Sequence, residues 1–197
     1  PETYPHMASG WAVGFDSPFG WMKQVPSDFG GTRNGMVMSW PKGIKAKNGI
    51  RTQFSHVIDI APTILEAAGL PQPTLVNGVA QQRVDGISMV YTFDAPQAPG
   101  RRTTQYFEMM GNRAIYHDGW MASTTPTRAT WQRAPLTVKA SPADYDWELY
   151  DLAHDFSQAR DLAASQPAKL AELRALFVEE ARRNEVYPLD DRLNLAR

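Results

Sequence analysis

The chain has 197 residues and a mass of 22.0 kDa, with 43% hydrophobic and 21% charged residues, which is enough for one substantial globular core. A net charge of −1 predicts no general attraction to nucleic acid, and no run approaches the roughly 20 apolar residues that a membrane helix needs. The absence of cysteine excludes disulfides and thiolate metal sites but leaves the compartment, bacterial cytoplasm or periplasm, undetermined.

The first third of the chain predicts an aromatic loop followed by two short strands. Residues 1–34 are rich in Gly, Pro and aromatic residues, which predicts a loop packed by its rings or, alternatively, the wall of an aryl-binding pocket. The apolar run 36–40 is ended by Pro41 and predicts a buried strand. Residues 51–56 alternate and predict a second strand.

A helix and a surface excursion come next. Asp59 is placed to cap a helix that carries Ile60 and Ile64 and stops at Gly69. Residues 71–101 contain four prolines and predict a long surface segment.

The last part of the chain predicts an antiparallel sheet covered by one helix. Strand-like runs occupy 103–108, 113–117, 120–123 and 147–152, and the Asp118-Gly119 pair predicts a tight hairpin turn between the middle two. A helix of about 167–184 has an apolar stripe at i, i+3 and i+4 spacing: Leu170, Leu173, Leu176, Phe177 and Ala181. The aromatic residues of this region are interpreted as core, with an aromatic binding face as the alternative: Tyr106, Tyr116, Trp120, Trp131, Trp147 and Tyr150. The predicted fold class is α+β.

Several motifs occur in a characteristic order. They are Lys23, then Gly30-Gly31-Thr32-Arg33, Trp40-Pro41-Lys42-Gly43-Ile44, the segment 56–66, the hairpin 113–122 and Trp147-Glu148-Leu149-Tyr150-Asp151-Leu152. Together they resemble the C-terminal third of type I sulfatases, especially bacterial arylsulfatases, in the alkaline-phosphatase-like superfamily. Phosphonate monoester hydrolases share much of this region. No single motif is specific, but their order and spacing are.

The resemblance implies a division of the chain into two parts. Residues 1–98 would be the end of an alkaline-phosphatase-like α/β catalytic domain, contributing edge strands and a helix. Residues 99–197 would form a small antiparallel-sheet subdomain packed against its C-terminal helix. The N-terminus lacks an initiator Met, and we interpret the chain as a piece cut from a longer protein.

The resemblance also implies roles for four residues. The family's lysine before a Gly-Gly-x-Arg turn reaches the sulfate, so Lys23 is expected to bind sulfate and stabilise the charge that develops in the transition state. Gly30 and Gly31 are expected to support this site by allowing close backbone approach. Arg33 is expected to brace it internally by bridging carboxylates or carbonyls.

Other parts of the family's catalytic apparatus do not match this sequence. The nucleophile motif C-x-P-x-R or S-x-P-x-R, which matures to formylglycine, is absent, and the near match at Thr124–Arg128 has Thr in the nucleophile position. The four histidines have no metal-ligand spacing, and the Asp190-Asp191 pair does not match the calcium motif. We therefore expect no cofactor or metal in this chain, with calcium and formylglycine in the complete enzyme.

These observations favour a C-terminal part of an arylsulfatase that is inactive alone. Its expected partners are a sulfate-ester substrate in the complete enzyme and the remainder of the catalytic domain, with oligomerisation through exposed strand edges; nucleic acid and membrane are not expected. The alternatives are a stand-alone binding or assembly module and a fragment of a phosphonate monoester hydrolase. An exposed apolar edge on residues 35–70 would favour a severed fragment over a stand-alone module.

Overall fold

A computed structural model describes residues 7–124 and 145–189. Predictions concerning His6, Thr125–Arg128, Trp131 and Asp190-Asp191 fall outside these residues. In chain order the helices and strands are α1 (Ser9–Asp16), α2 (Phe29–Thr32), α3 (Ile60–Ala67), β1 (Leu75–Val76), β2 (Val79–Ala80), β3 (Thr104–Met109), β4 (Asn112–His117), β5 (Trp120–Thr124), β6 (Trp147–Asp151) and α4 (Pro167–Arg183).

The described residues divide into two compact units. The sheet unit joins the segment up to Asn34 with the segment from Thr104 onward, and the middle unit is Gly35–Thr103. The predicted domains 1–98 and 99–197 refer to a larger fold and stay a prediction. None of the helices in the described ranges is both long and apolar enough to cross a membrane.

The sheet unit contains the predicted antiparallel sheet, with strand order β3-β4-β5-β6. The Asp118-Gly119 turn between β4 and β5 has positive φ at both residues, 44° and 84°, as a two-residue hairpin of this type requires. A second turn of the same kind, Met110-Gly111, joins β3 to β4 with φ of 54° and 80°. The α+β fold class is therefore confirmed.

Helix α4 covers one face of this sheet and closes the core. Its stripe residues Leu173, Phe177 and Ala181 are buried against Ile115, Ala122 and Leu149 of β4, β5 and β6. The apolar stripe that helical spacing predicts is therefore the face of α4 that packs on the sheet. Burying a side chain of this size contributes about 1.5–3 kcal/mol.

The first segment packs its aromatic residues on the same unit. The Phe29 ring joins Ala114 and Met121 in a second apolar cluster, with Phe19 alongside. The rings of Phe19 and Phe29 lie edge to face with their centroids 5.9 Å apart. The prediction of a loop packed by aromatic residues holds for Phe19 and Phe29 but not for Trp11 and Phe15, which are 69% and 75% exposed. The loop also contains helices α1 and α2, which the sequence did not suggest.

In the middle unit α3 forms as predicted, but the two predicted strands are wrong. Residues 36–40 and 51–56 have no strand structure, and Val37 is 96% exposed. A strand needs a neighbour to receive its backbone hydrogen bonds, and the only strand pair described in this unit is the short exposed hairpin β1-β2. Arg51 instead donates hydrogen bonds to the carbonyls of Thr92 and Phe93, at 2.7 and 2.9 Å.

A buried ion pair is the centre of the middle unit. Both Asp59 oxygens accept from the Arg102 guanidinium, and they also accept from the backbone N–H groups of Ile87 at 2.7 Å and His56 at 2.8 Å. Burial on its own would raise the pKa of Asp59, but these hydrogen bonds outweigh it and hold the pKa below its ordinary value. Contrary to the sequence prediction, Asp59 does not cap α3 with its side chain. Its carboxylate instead forms a capping box with His56 at the start of the short turn 57–59, which precedes α3.

Replacing Arg102 by Met should destabilise the middle unit by about 3–5 kcal/mol, because the buried Asp59 carboxylate would lose its counter-charge. Amide hydrogen exchange at Ile87 and Met89 would report the loss. Arg83→Met is the matched control, since the Arg83–Asp85 pair is exposed on both sides and should contribute about 1 kcal/mol or less. Equal exchange in the two variants would contradict the assignment of Asp59–Arg102 as the organising contact.

Candidate functional site

Lys23 lies on a tight turn at the surface of the sheet unit. The Val25 N–H donates to the Met22 carbonyl at 3.2 Å, and Gln24 has a φ of 77°. Met22 and Val25 are buried on either side, whereas Lys23 is exposed. Within the described ranges Lys23 forms no ion pair, so its ammonium is presented to solvent from an anchored backbone.

Gly30 and Gly31 lie directly beneath this turn. The Gly30 N–H donates to the Gly20 carbonyl at 3.0 Å, and a Cβ on Gly30 would overlap the carbonyl oxygens of Gly20 and Trp21. A Cβ on Gly31 would overlap the Val25 carbonyl oxygen. Only glycine lets the two backbone stretches approach this closely. The arrangement is compatible with the supporting role predicted for this pair, which stays a prediction.

Arg33, expected to act as an internal brace, lies against aromatic rings in this structure, and the bracing role stays a prediction. It is exposed, and its guanidinium carbon lies 5.1, 5.4 and 5.7 Å from the ring centroids of Phe19, Phe29 and Phe156. Among the described residues it covers an aromatic cluster through cation–π contacts, each about 0.5–1 kcal/mol at an exposed site.

Gln158 holds the same loop from the far end of the chain. Its side-chain oxygen accepts the Phe29 N–H at 2.8 Å, and its side-chain nitrogen lies 3.4 Å from the Ser27 carbonyl oxygen. Gln158 is 9% exposed. Sequence reasoning missed this residue because the partners are 129 positions apart and no local pattern marks them.

A buried acid lies between Lys23 and the glycine pair in sequence. Burial, and secondarily the charge of Glu148, raises the pKa of Asp28 to about 6. Glu148 also accepts a hydrogen bond from the Tyr150 hydroxyl at 2.9 Å, and burial together with this bond raises the pKa of Tyr150. The Asp28 carboxyl group, whose pKa is about 6, is therefore mostly neutral below that pH.

The histidines within the described ranges serve local structure. His56 takes part in the capping box of the middle unit, and burial, reinforced by the charge of Arg102, lowers its pKa. His117 bonds Thr104 and His154 bonds Asp151, each at 2.8 Å. Across residues 7–124 and 145–189, no group of three His, Asp or Glu side chains is arranged to hold a metal ion. These residues therefore do not fit the calcium site that the family resemblance implies, and no chemical step is assigned to a metal held by them.

Comparison with known proteins identifies relatives. No protein-family model matches the chain. The chain is 30% identical over 172 residues to an uncharacterized sulfatase of Schizosaccharomyces pombe, a match that covers 82% of this chain and 27% of that protein. The chain thus spans about a quarter of the curated relative, and the predicted resemblance to sulfatases is confirmed.

Solved structures support the fold. A protein solved with its substrate, D-glucosamine-2-N,6-O-disulfate, has a TM-score of 0.53 and 18% identity, with 78% of this chain and 29% of that chain covered. A second, from a Bacteroides thetaiotaomicron locus for the metabolism of multiple glycosaminoglycans, has a TM-score of 0.56 and 21% identity, with 78% and 30% covered. At these identities the likeness concerns the fold.

Gly31→Ala should destabilise the sheet unit by about 1–3 kcal/mol, because the added Cβ collides with backbone rather than with a flexible side chain. Gly10→Ala is the matched control: nothing lies within 4 Å of its Cβ position, and Ala there should leave stability unchanged or raise it slightly. Urea unfolding compares the two variants. A Gly31→Ala protein as stable as Gly10→Ala would refute the close approach.

Asp28→Asn should change how stability depends on pH. Because the folded pKa of about 6 lies above the unfolded value, the stability that Asp28 contributes is present below about pH 4 and is lost as pH rises through 6. At pH 8 the variant should therefore exceed the wild type by up to roughly 3 kcal/mol, with a smaller difference at pH 4.5. Urea unfolding at both pH values measures this, and Asp94→Asn, on an exposed residue of the middle unit, is the control. Parallel pH curves for wild type and Asp28→Asn would count against it.

Proposed function

Because the chain is related to sulfatases, we propose that it forms the C-terminal part of an enzyme that hydrolyses sulfate esters to an alcohol or phenol and sulfate, and that Lys23 binds the sulfate. The observation that carries the proposal is the exposed Lys23 on a turn anchored by Gly30 and Gly31, in a sequence 30% identical to a sulfatase. A cation held on a fixed backbone can bind the anionic sulfate group and stabilise the charge that develops when the ester bond breaks.

Lys23 would act electrostatically. When the S–O bond to the leaving group breaks, negative charge grows on the bridging oxygen and on the remaining sulfate oxygens. A positioned ammonium group stabilises that charge more in the transition state than in the ground state, which lowers the barrier. The chain has no cysteine and no matching serine motif, so the nucleophile is assigned to a segment outside this sequence, and we expect the chain alone to be inactive.

The middle unit supports the fragment interpretation. Its only hydrophobic side chains buried below a tenth of their surface, among those described, are Met89 and Phe93, whereas Val37, Ile50 and Ile64 are 96%, 80% and 62% exposed. We interpret these exposed apolar side chains as surface that packs against a further part of a longer protein. We assign it to the remainder of the catalytic domain, because the related sulfatase extends far beyond the aligned region. The same observation disfavours a stand-alone binding module.

The substrate is proposed as a sulfate ester, with the alcohol left open between two classes. The arylsulfatase resemblance favours an aryl sulfate, and the structural neighbour solved with a sulfated glucosamine favours a sulfated sugar. Lys23 contacts only the sulfate in either case. Phosphonate monoester hydrolysis is the alternative reaction, and it differs in residues outside this chain.

Lys23→Ala should lower the kcat of the longer polypeptide that this proposal requires by about 100-fold, the usual effect of removing one charge-stabilising donor. p-Nitrophenyl sulfate and D-glucosamine-2-N,6-O-disulfate are the two substrates to assay, each with calcium, for the chain alone and for the longer form. Lys47→Ala, which removes the same charge from an exposed residue of the middle unit, is the control and should keep full turnover.

Turnover by the chain alone would contradict the fragment assignment. Turnover of Lys23→Ala within twofold of wild type would contradict the role of Lys23. Activity on p-nitrophenyl phosphonate esters without activity on either sulfate would favour the phosphonate alternative.

A further inference from the structure

We propose that Gln158 is a positioning residue for Lys23, acting as a latch between the C-terminal sheet and the loop that carries the lysine. The effect of Gln158 on catalysis rests on the proposed function, whereas the contacts between Gln158 and the lysine loop do not depend on it. The role of Gln158 in this proposal is to fix the backbone on which Lys23 is carried.

The latch begins with a rigid turn after β6. The Asp155 carboxylate accepts the N–H of Ala159 at 3.0 Å and that of Arg160 at 2.8 Å, and it accepts the Ser157 hydroxyl at 3.3 Å. These bonds close the turn and hold Gln158 at a φ of 58°. The direction of the Gln158 side chain is therefore set by its own turn.

Hydrogen bonds also fix the turn to the sheet. The Leu149 N–H donates to the Asp161 carboxylate at 2.9 Å, and the Leu162 N–H donates to the Leu149 carbonyl at 2.8 Å. Leu149 is fully buried in β6. These two hydrogen bonds hold the residues that follow the Gln158 turn against β6.

Gln158 then caps α2. The first N–H groups of a helix have no partner within the helix, and Asp28 at the N-cap makes no side-chain cap bond. The Gln158 oxygen fills this role by accepting the Phe29 N–H at 2.8 Å in a buried setting. Phe29 immediately precedes Gly30 and Gly31, whose backbones lie against the turn of Lys23.

A continuous chain of contacts thus runs from β6 through Gln158 and Phe29 to Lys23. Its members are hydrogen bonds or direct backbone contacts, with no flexible side chain between Phe29 and the lysine turn. Loss of the Gln158 acceptor should let α2 shift and displace the lysine turn with it.

Three variants test the latch on the chain itself. Gln158→Met keeps the side-chain length but removes the acceptor, Gln158→Glu keeps an acceptor oxygen, and Gln166→Met makes the same change at an exposed site. Amide hydrogen exchange by NMR should be about three- to tenfold faster at Phe29, Gly30 and Gly31 in Gln158→Met, the range that one such hydrogen bond gives. The Lys23 and Gln24 amide signals should shift as well, while the signals of β4 and β5 stay in place. Gln158→Glu keeps the acceptor for the Phe29 N–H but loses the donor that faces the Ser27 carbonyl, so it should keep exchange at Phe29 slower than Gln158→Met does. Gln166→Met should match the wild type.

The outcomes separate this inference from the proposed function. Unchanged exchange at Phe29, or unchanged Lys23 and Gln24 signals in Gln158→Met, would overturn the latch. Exchange at Phe29 that is as fast in Gln158→Glu as in Gln158→Met would overturn it too, because the acceptor would not be the cause. A titration of the chain with inorganic sulfate tests the proposed role of Lys23. If the backbone amide signals at position 23 and at Gln24 respond to sulfate in Lys23→Ala as they do in the wild type, sulfate binding by this lysine is contradicted. That result leaves the latch to be decided by the exchange data.

Discussion

The candidate site depends on one constraint, the direct approach of two backbone stretches beneath Lys23. At Gly30 and Gly31 the carbonyl groups of Gly20, Trp21 and Val25 occupy the space where a Cβ would stand. A lysine side chain is flexible and gains little by itself from being near an anion in water. In the proposed role, its effect on catalysis would depend on a fixed backbone position, and the packing of backbone on backbone supplies that position. The aromatic cluster under Arg33 and the Gln158 bond both act on this same contact.

The two units obtain their order in different ways. The sheet unit has a closed apolar core in which α4 covers β4, β5 and β6. The middle unit is organised by the Asp59–Arg102 pair and by side-chain bonds to backbone, while Val37 and Ile50 stay exposed. A buried ion pair specifies an arrangement more than it stabilises one, because desolvation offsets most of the Coulomb attraction. The middle unit therefore has a defined internal geometry but little apolar burial of its own, which is the state expected of one layer of a larger domain.

Local patterns in the sequence were sufficient for the four-stranded sheet β3–β6 and its covering helix α4. Strand alternation, the Asp118-Gly119 turn and the stripe of α4 each act over a few residues, and the structure has all three. Residues 36–40 have equally strong apolar character, but strand formation needs a partner that local sequence does not reveal. Gln158 was undetectable for a related reason, since its role comes from a contact across 129 positions. Lys23 was found only through the family resemblance, because an exposed turn lysine has no pattern of its own.

The grouping of Lys23 with the C-terminal sheet changes how the site should be understood. Residues 1–34 would be expected to fold with their neighbours in sequence, yet the compact unit that holds them resumes only at Thr104. The first segment docks through Phe29 on Ala114 and Met121, and through its N–H on Gln158. The C-terminal sheet, which carries no proposed chemistry itself, therefore supplies the platform for the cation. Its contribution to a sulfate-ester reaction would be to hold one charge in place while residues from elsewhere supply the nucleophile.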